Sequence, residues 1–129
     1  AQVQALGLGT SVAFHGRLDD AGMAAVLARC KISVSVPASD ATSVAMLESM
    51  ACGLAVVASD LDANRQWIDA SLLVPAGDAQ ALAELLRQMA LDDARTSQAG
   101  GRNAERIALH GDRKAQMDHM NQLYEQLLT

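Results

Sequence analysis

Asp40 and Glu48 are the residues best placed to do chemistry, because seven residues separate them and a helix start falls between. Thr42 and Ser43 are N-cap types, so the spacing predicts a helix from there to Cys52. The N–H groups of Ser43, Val44 and Ala45 then lack intrahelical partners, and the helix dipole makes them attractive to phosphate. Glu48 lies four residues beyond Val44, on the same face and about 6 Å deeper along the axis. A carboxylate there accepts two hydrogen bonds from a cis-diol such as a ribose, while Asp40 meets the other end of the ligand. Taken alone, the same residues also fit a plainer arrangement, with Asp40 as a cap and Glu48 solvated or ion-paired.

These acids must be held by flanking elements. Leu54 to Ala58 is apolar on both faces, as a central parallel strand requires, and Gly53 suits the C′ position of the helix before it. Ile32, Val34 and Val36 alternate with Ser33 and Ser35 and predict another strand, ended by Pro37. Val12 to Phe14 predicts a first short strand, and Leu72 to Val74 a last one, closed by Pro75. Between the first two strands, Met23, Val26, Leu27 and Cys30 recur at helical spacing behind Asp19 or Asp20. A short helical turn is expected around Arg65 to Ile68, with Asp60 and Asp62 as its caps.

Three further helices complete the chain. Asp78 opens one with Leu82, Leu85, Leu86 and Met89 on a single face. Asp92 or Asp93 opens the next, which Gly100-Gly101 should break or kink. Asp112 opens the last, striped by Met117, Met120, Tyr124 and Leu127, and this surplus of helix suggests packing against something else. Strands alternating with helices imply a Rossmann-like α/β fold, a parallel sheet flanked by helices. Ligands of such sheets sit beyond the carboxyl ends of the strands, where Asp40, Thr42, Ser43 and Asp60 all fall.

Composition narrows the partners. In 129 residues half are hydrophobic but 2% aromatic, so the core must be built from Ala, Val, Leu and Met. That is enough chain for one domain with a real core. A net charge of −5 without any basic run argues against nucleic acid or an anionic membrane as main partner. No signal peptide and no membrane-spanning stretch is expected, which points to the cytoplasm. Cys30 and Cys52 lack metal-ligand spacing, and each closes a helix ahead of a strand, where a small buried, reduced thiol is expected. The three histidines carry no assignment: His15 reads as structural or incidental, His110 and His119 as solvated surface.

The strongest signal is the run Asp40 to Glu48, then Ser49-Met50-Ala51-Cys52-Gly53-Leu54-Ala55-Val56-Val57-Ala58-Ser59-Asp60. It resembles the hallmark of the C-terminal half of retaining GT-B glycosyltransferases (glycosyl transferases group 1, or family-4-like): an acid, seven residues, a Glu, then Ala-Met-Ala-x-Gly-x-Pro-Val-Val-Ala-Ser/Thr-Asp. Val12-Ala13-Phe14-His15-Gly16 upstream is similar to the family's Val-x-Phe-Leu-Gly. Ala63-Asn64-Arg65-Gln66-Trp67-Ile68 and Leu72-Leu73-Val74-Pro75-Ala76-Gly77-Asp78 also have counterparts in order, so the resemblance spans nearly the whole chain. It departs from the pattern in having Asp40 for the commoner Glu, Ala41-Thr42-Ser43 for Gly-Phe-Gly, and Gln66 for a frequent Glu.

The resemblance implies a single, partial donor-binding domain over residues 1–129, with its C-terminal helices from about residue 79. It implies transfer of a sugar from a nucleoside diphosphate with retention at the anomeric carbon. Glu48 would take the ribose and Asp40 the sugar hydroxyls, making Asp40 the candidate catalytic residue. Thr42, Ser43 and Val44 would face the diphosphate and sugar, and Gly16, Arg17 and Leu18 the base. No metal or other cofactor is expected, because helix amides and basic side chains carry the leaving charge. The expected partners are the donor and an absent N-terminal half, which would supply the acceptor site and any membrane association; the isolated chain should be inactive. The rivals are a non-catalytic interaction module, a sugar-nucleotide epimerase of the same architecture, and a receiver-like domain whose acidic pair and lysine are not visible.

Overall fold

The computed structural model describes residues 1–128. A short helix α1 (Gln2–Ala5) precedes α2 (Asp20–Leu27), β1 (Ile32–Ser35), α3 (Val44–Ala51), β2 (Ala55–Ser59) and α4 (Asp62–Arg65). A 3₁₀ turn over Ala70–Leu72 then leads into β3 (Leu73–Val74), followed by α5 (Ala79–Leu91), α6 (Asp93–His110) and α7 (Arg113–Leu128). The three strands form one parallel sheet in the order β1-β2-β3, with Ile32 opposite Ala55 and Ser35 opposite Ala58. The α/β class and the parallel sheet are as the sequence predicts.

β2 is the spine, and every one of its five residues is buried. Both faces of a central parallel strand are covered, which is why Ala55-Val56-Val57-Ala58 can be apolar without alternation. α3 and α6 pack against β2 and each other. Met46, Met50 and Met89 are among the largest fully buried side chains, so flexible thioethers fill the space that aromatic rings would otherwise take. Gly53, at φ +75°, ends α3 in the left-handed region and turns the chain into β2.

Four expectations are corrected. Val12 to Phe14 forms no strand, and Phe14 is 83% exposed. An extended segment becomes a strand only through a neighbour's N–H and C=O groups, and β1 pairs with β2 alone. Gly100-Gly101 does not break α6, which runs unbroken over 18 residues. Its glycine serves close packing instead: a Cβ on Gly100 would lie 2.0 Å from the carbonyl oxygen of Gly53. The turn expected around Arg65 to Ile68 comes earlier, as α4, leaving Trp67 and Ile68 free to pack on the core. Finally, Cys30 and Cys52 are both free but exposed, because each sits past its helix end rather than on the inward stripe.

α5 and α6 are joined by a buried bond from the Thr96 hydroxyl to the Met89 carbonyl, 2.7 Å. Asn103 of α6 donates through Nδ2 to the Leu54 carbonyl at 2.9 Å, tying α6 to the start of β2. α7 buries none of its residues, and Met117, Met120, Tyr124 and Leu127 are all exposed. Among the described residues, no helix is long and apolar enough to cross a membrane.

Candidate functional site

α3 begins where the sequence places it. Ser43, with extended backbone, caps the helix by accepting from Met46 N at 3.3 Å, and the Ser43 carbonyl takes the first helical bond from Leu47 N. The N–H groups of Ser43, Val44 and Ala45 therefore have no partner within the described residues, and Val44 is 68% exposed. Thr42 stands just outside the cap. Asp40 lies on the exposed loop between β1 and α3, at the carboxyl end of the sheet.

The orientation of α3 is set by two serines. Ser33 of β1 and Ser49 of α3 join through their hydroxyls at 2.9 Å, and Ser49 donates to the Ala45 carbonyl at 2.9 Å. With Met46 and Met50 turned into the core, Glu48 faces outward toward α2. It lines two adjoining grooves. One, of about 360 Å³, lies between α2 and α3 and includes Leu18, Asp19, Asp20, Met23 and Cys52. The other, of about 220 Å³, runs along Met23, Leu27, Ser35, Ala45 and Ser49.

The structure thus brings Leu18, Ala45 and Glu48 together around one helix face. Gly16 and Arg17 are exposed on the segment leading to α2, and like Asp40 and Thr42 they line neither groove. Sequence reading assigned no part to Asp19, Met23 or Cys52. Met23 was legible only as part of an apolar helical stripe, and Asp19 as the cap of α2, a role it does fill by accepting from Gly22 N at 2.8 Å. Neither groove is lined by a lysine or arginine, so the walls around Glu48 favour hydrogen-bond donors such as hydroxyls over anions.

Past the end of β2, Arg65 Nε donates to Asp60 Oδ1 at 2.7 Å and Arg65 Nη1 to Asp62 Oδ1 at 2.5 Å. The Arg65 hydrogen bond holds the Asp60 carboxyl below its usual range, and Asp60 in turn raises the guanidinium. These acids do not cap α4, whose N-cap residue is Leu61. They occupy Arg65, the cation nearest in sequence to the rim. Lys31 is likewise engaged, to Asp93 at 2.8 Å. A separate apolar groove of about 150 Å³, among Val36, Val74, Pro75 and Leu82, has Asp78 as its one charged side chain, and Asp78 is used to cap α5 through Ala81 N. Among the described residues no three His, Cys, Asp or Glu side chains group as metal ligands would.

This parallel sheet, with α3 entered from the carboxyl end of β1 and α6 laid across β2, has the fold of part of the C-terminal half of a GT-B glycosyltransferase. It matches sucrose-phosphate synthase from Thermosynechococcus elongatus at a TM-score of 0.86 and 30% identity, over 98% of this chain and 33% of that one. The chain belongs to the family described as Glycosyl transferases group 1, which matches residues 1–92. It is 38% identical over 94 residues to the phosphatidyl-myo-inositol mannosyltransferase of Mycobacterium leprae (strain TN), covering 70% of this chain and 25% of that protein. The protein of the same description from Mycolicibacterium smegmatis (strain ATCC 700084 / mc(2)155) is 34% identical over 108 residues, 81% of this chain and 28% of that protein. The chain therefore spans about a quarter of the length of these curated relatives.

Proposed function

We propose that residues 1–129 are the donor-binding portion of a retaining hexosyltransferase, taking a nucleoside-diphosphate sugar at the mouth of α3. The observation that carries this is Glu48: an exposed acid about one turn inside a helix that opens with three free amides, lining grooves that hold carboxylates and hydroxyls and no lysine or arginine. In the proposed arrangement the amides of Ser43 to Ala45 receive phosphate oxygens. Glu48 accepts from the ribose hydroxyls, and Asp40 with Thr42 reaches the sugar. Leu18, with Gly16 and Arg17 before it, borders the base. The names of both mannosyltransferase relatives specify a phosphatidyl-myo-inositol acceptor, which supports a glycolipid product.

Charge sets the expected strength. Arg65 is engaged by Asp60 and Asp62, and Glu48 repels a diphosphate, so this chain alone binds nucleotides weakly and transfers nothing. Titrating UDP, GDP and ADP into isotope-labelled protein will move NMR signals of Ser43 to Glu48. Scattered shifts, or none at millimolar nucleotide, would remove the proposal. In the longer enzyme that contains this chain, Glu48→Gln should cut donor use severely while Asp69→Asn leaves it nearly unchanged. The product anomer should match the donor's, and activity should survive a metal chelator.

A further inference from the structure

The loop from Pro37 to Thr42 carries Asp40, yet it is exposed for most of its length and nearly free of hydrogen bonds. Pro37 has no N–H with which to extend the β1 ladder onto β2. A side chain makes the link instead: the Ser59 hydroxyl donates to the Pro37 carbonyl at 2.7 Å. Among the described residues, no other hydrogen bond joins residues 37–42 to the rest of the molecule. Ser59 itself is completely buried at the end of β2, and its own carbonyl accepts from Asn64 Nδ2 at 2.9 Å. The latch is therefore built on the fully buried strand of the sheet and braced from α4.

We infer that Ser59 is a positioning residue for donor binding, holding the Asp40 loop against the end of β2 so that Asp40 and Thr42 stand at the mouth of α3. This rests on the proposal that the donor binds there. Without the hydroxyl the loop keeps its covalent ends at Ser35 and Ser43, but loses the one point fixing its path three residues before Asp40. The amides of α3 and the carboxylate of Glu48 stay in place, because Ser43, Ser33 and Ser49 hold them independently of Ser59.

The test compares Ser59→Ala with Ser59→Thr, which keeps a hydroxyl, both in this 129-residue chain and in the longer enzyme. Backbone ¹⁵N order parameters at residues 38–42 should fall with Ala and return close to the wild-type values with Thr. In the enzyme, the donor KM should rise about five- to tenfold with Ala while the acceptor KM does not move, and Thr should restore it. A loop whose order parameters are unchanged in the Ala variant overturns the inference. So does a loosened loop with an unchanged donor KM, or a Thr variant that behaves as Ala does. If the wild-type chain shows no nucleotide response at Ser43 to Glu48, the functional proposal fails and takes this inference with it. A normal wild-type response alongside an unaffected Ala variant sinks the inference alone.

Discussion

Alanine at Gly100 and alanine at Gly101 should act in opposite directions, although the two glycines are neighbours in one helix. In an exposed helix interior, replacing Gly by Ala gains about 1 kcal/mol through lower backbone entropy in the unfolded chain and better helix propensity. Gly101 has nothing within 4 Å of a built Cβ, so Gly101→Ala should keep that gain. At Gly100 the same methyl would lie 2.0 Å from the Gly53 carbonyl oxygen, 3.0 Å from its carbon and 3.4 Å from the Ala55 nitrogen. All three are backbone atoms, so no side chain can swing aside. α6 would have to withdraw by about 1 Å, which overpacking data put at about 1–3 kcal/mol. Withdrawal also stretches the buried bond from Asn103 to the Leu54 carbonyl, at about 1–2 kcal/mol. Set against the propensity gain, Gly100→Ala should lose about 1–4 kcal/mol. The two variants then differ by roughly 2–5 kcal/mol, or on the order of 10 °C in Tm at this size. Urea and thermal unfolding followed by circular dichroism would measure both. A Gly100→Ala protein as stable as Gly101→Ala would refute the close contact between α6 and the α3–β2 turn.

Other consequences can be checked separately. Ser43→Ala should cost about 0.5–1 kcal/mol, the low end for an N-cap because its bond to Met46 N is long at 3.3 Å; urea denaturation reads it, and an unchanged midpoint would count against the cap. Glu84 accepts from Arg87 and Gln88, and its carboxyl is drawn from 4.5 down to about 2, chiefly by the Arg87 hydrogen bond. A depressed folded pKa means stability that is present above 4.5 and lost as pH falls toward 2. Glu84→Gln should therefore lose less stability than wild type across that window, and parallel pH profiles would contradict the pairing. Both cysteines, being exposed, should react with a thiol reagent in the native protein at comparable rates. One thiol released only on unfolding would show that a cysteine is buried after all.

Much of this molecule was legible because its signals are local. A serine followed by a helical stripe, a glycine after Cys52 and an apolar run fixed α3, the turn and β2 without reference to anything distant. The same local chemistry put Asp40 and Glu48 on either side of a helix start. Leu18 came to the site through resemblance to the glycosyltransferase pattern, since no spacing in the chain connects residue 18 with residue 48.

Contacts between segments far apart in sequence were decided by tertiary structure alone. Gly100-Gly101 reads as a helix breaker because propensity counts backbone freedom, whereas the fold uses the missing Cβ at Gly100 to seat α6 on the Gly53 carbonyl. Val12 to Phe14 has the composition of a strand, but a ladder needs a second chain segment beside it. Ser59 looked like one more residue of a motif until the sheet register brought it within 2.7 Å of the Pro37 carbonyl. Periodicity and capping act over a turn or two of backbone and so leave their mark in the sequence. Packing and hydrogen bonding across twenty to fifty residues depend on where the folded chain returns, and no local pattern records that.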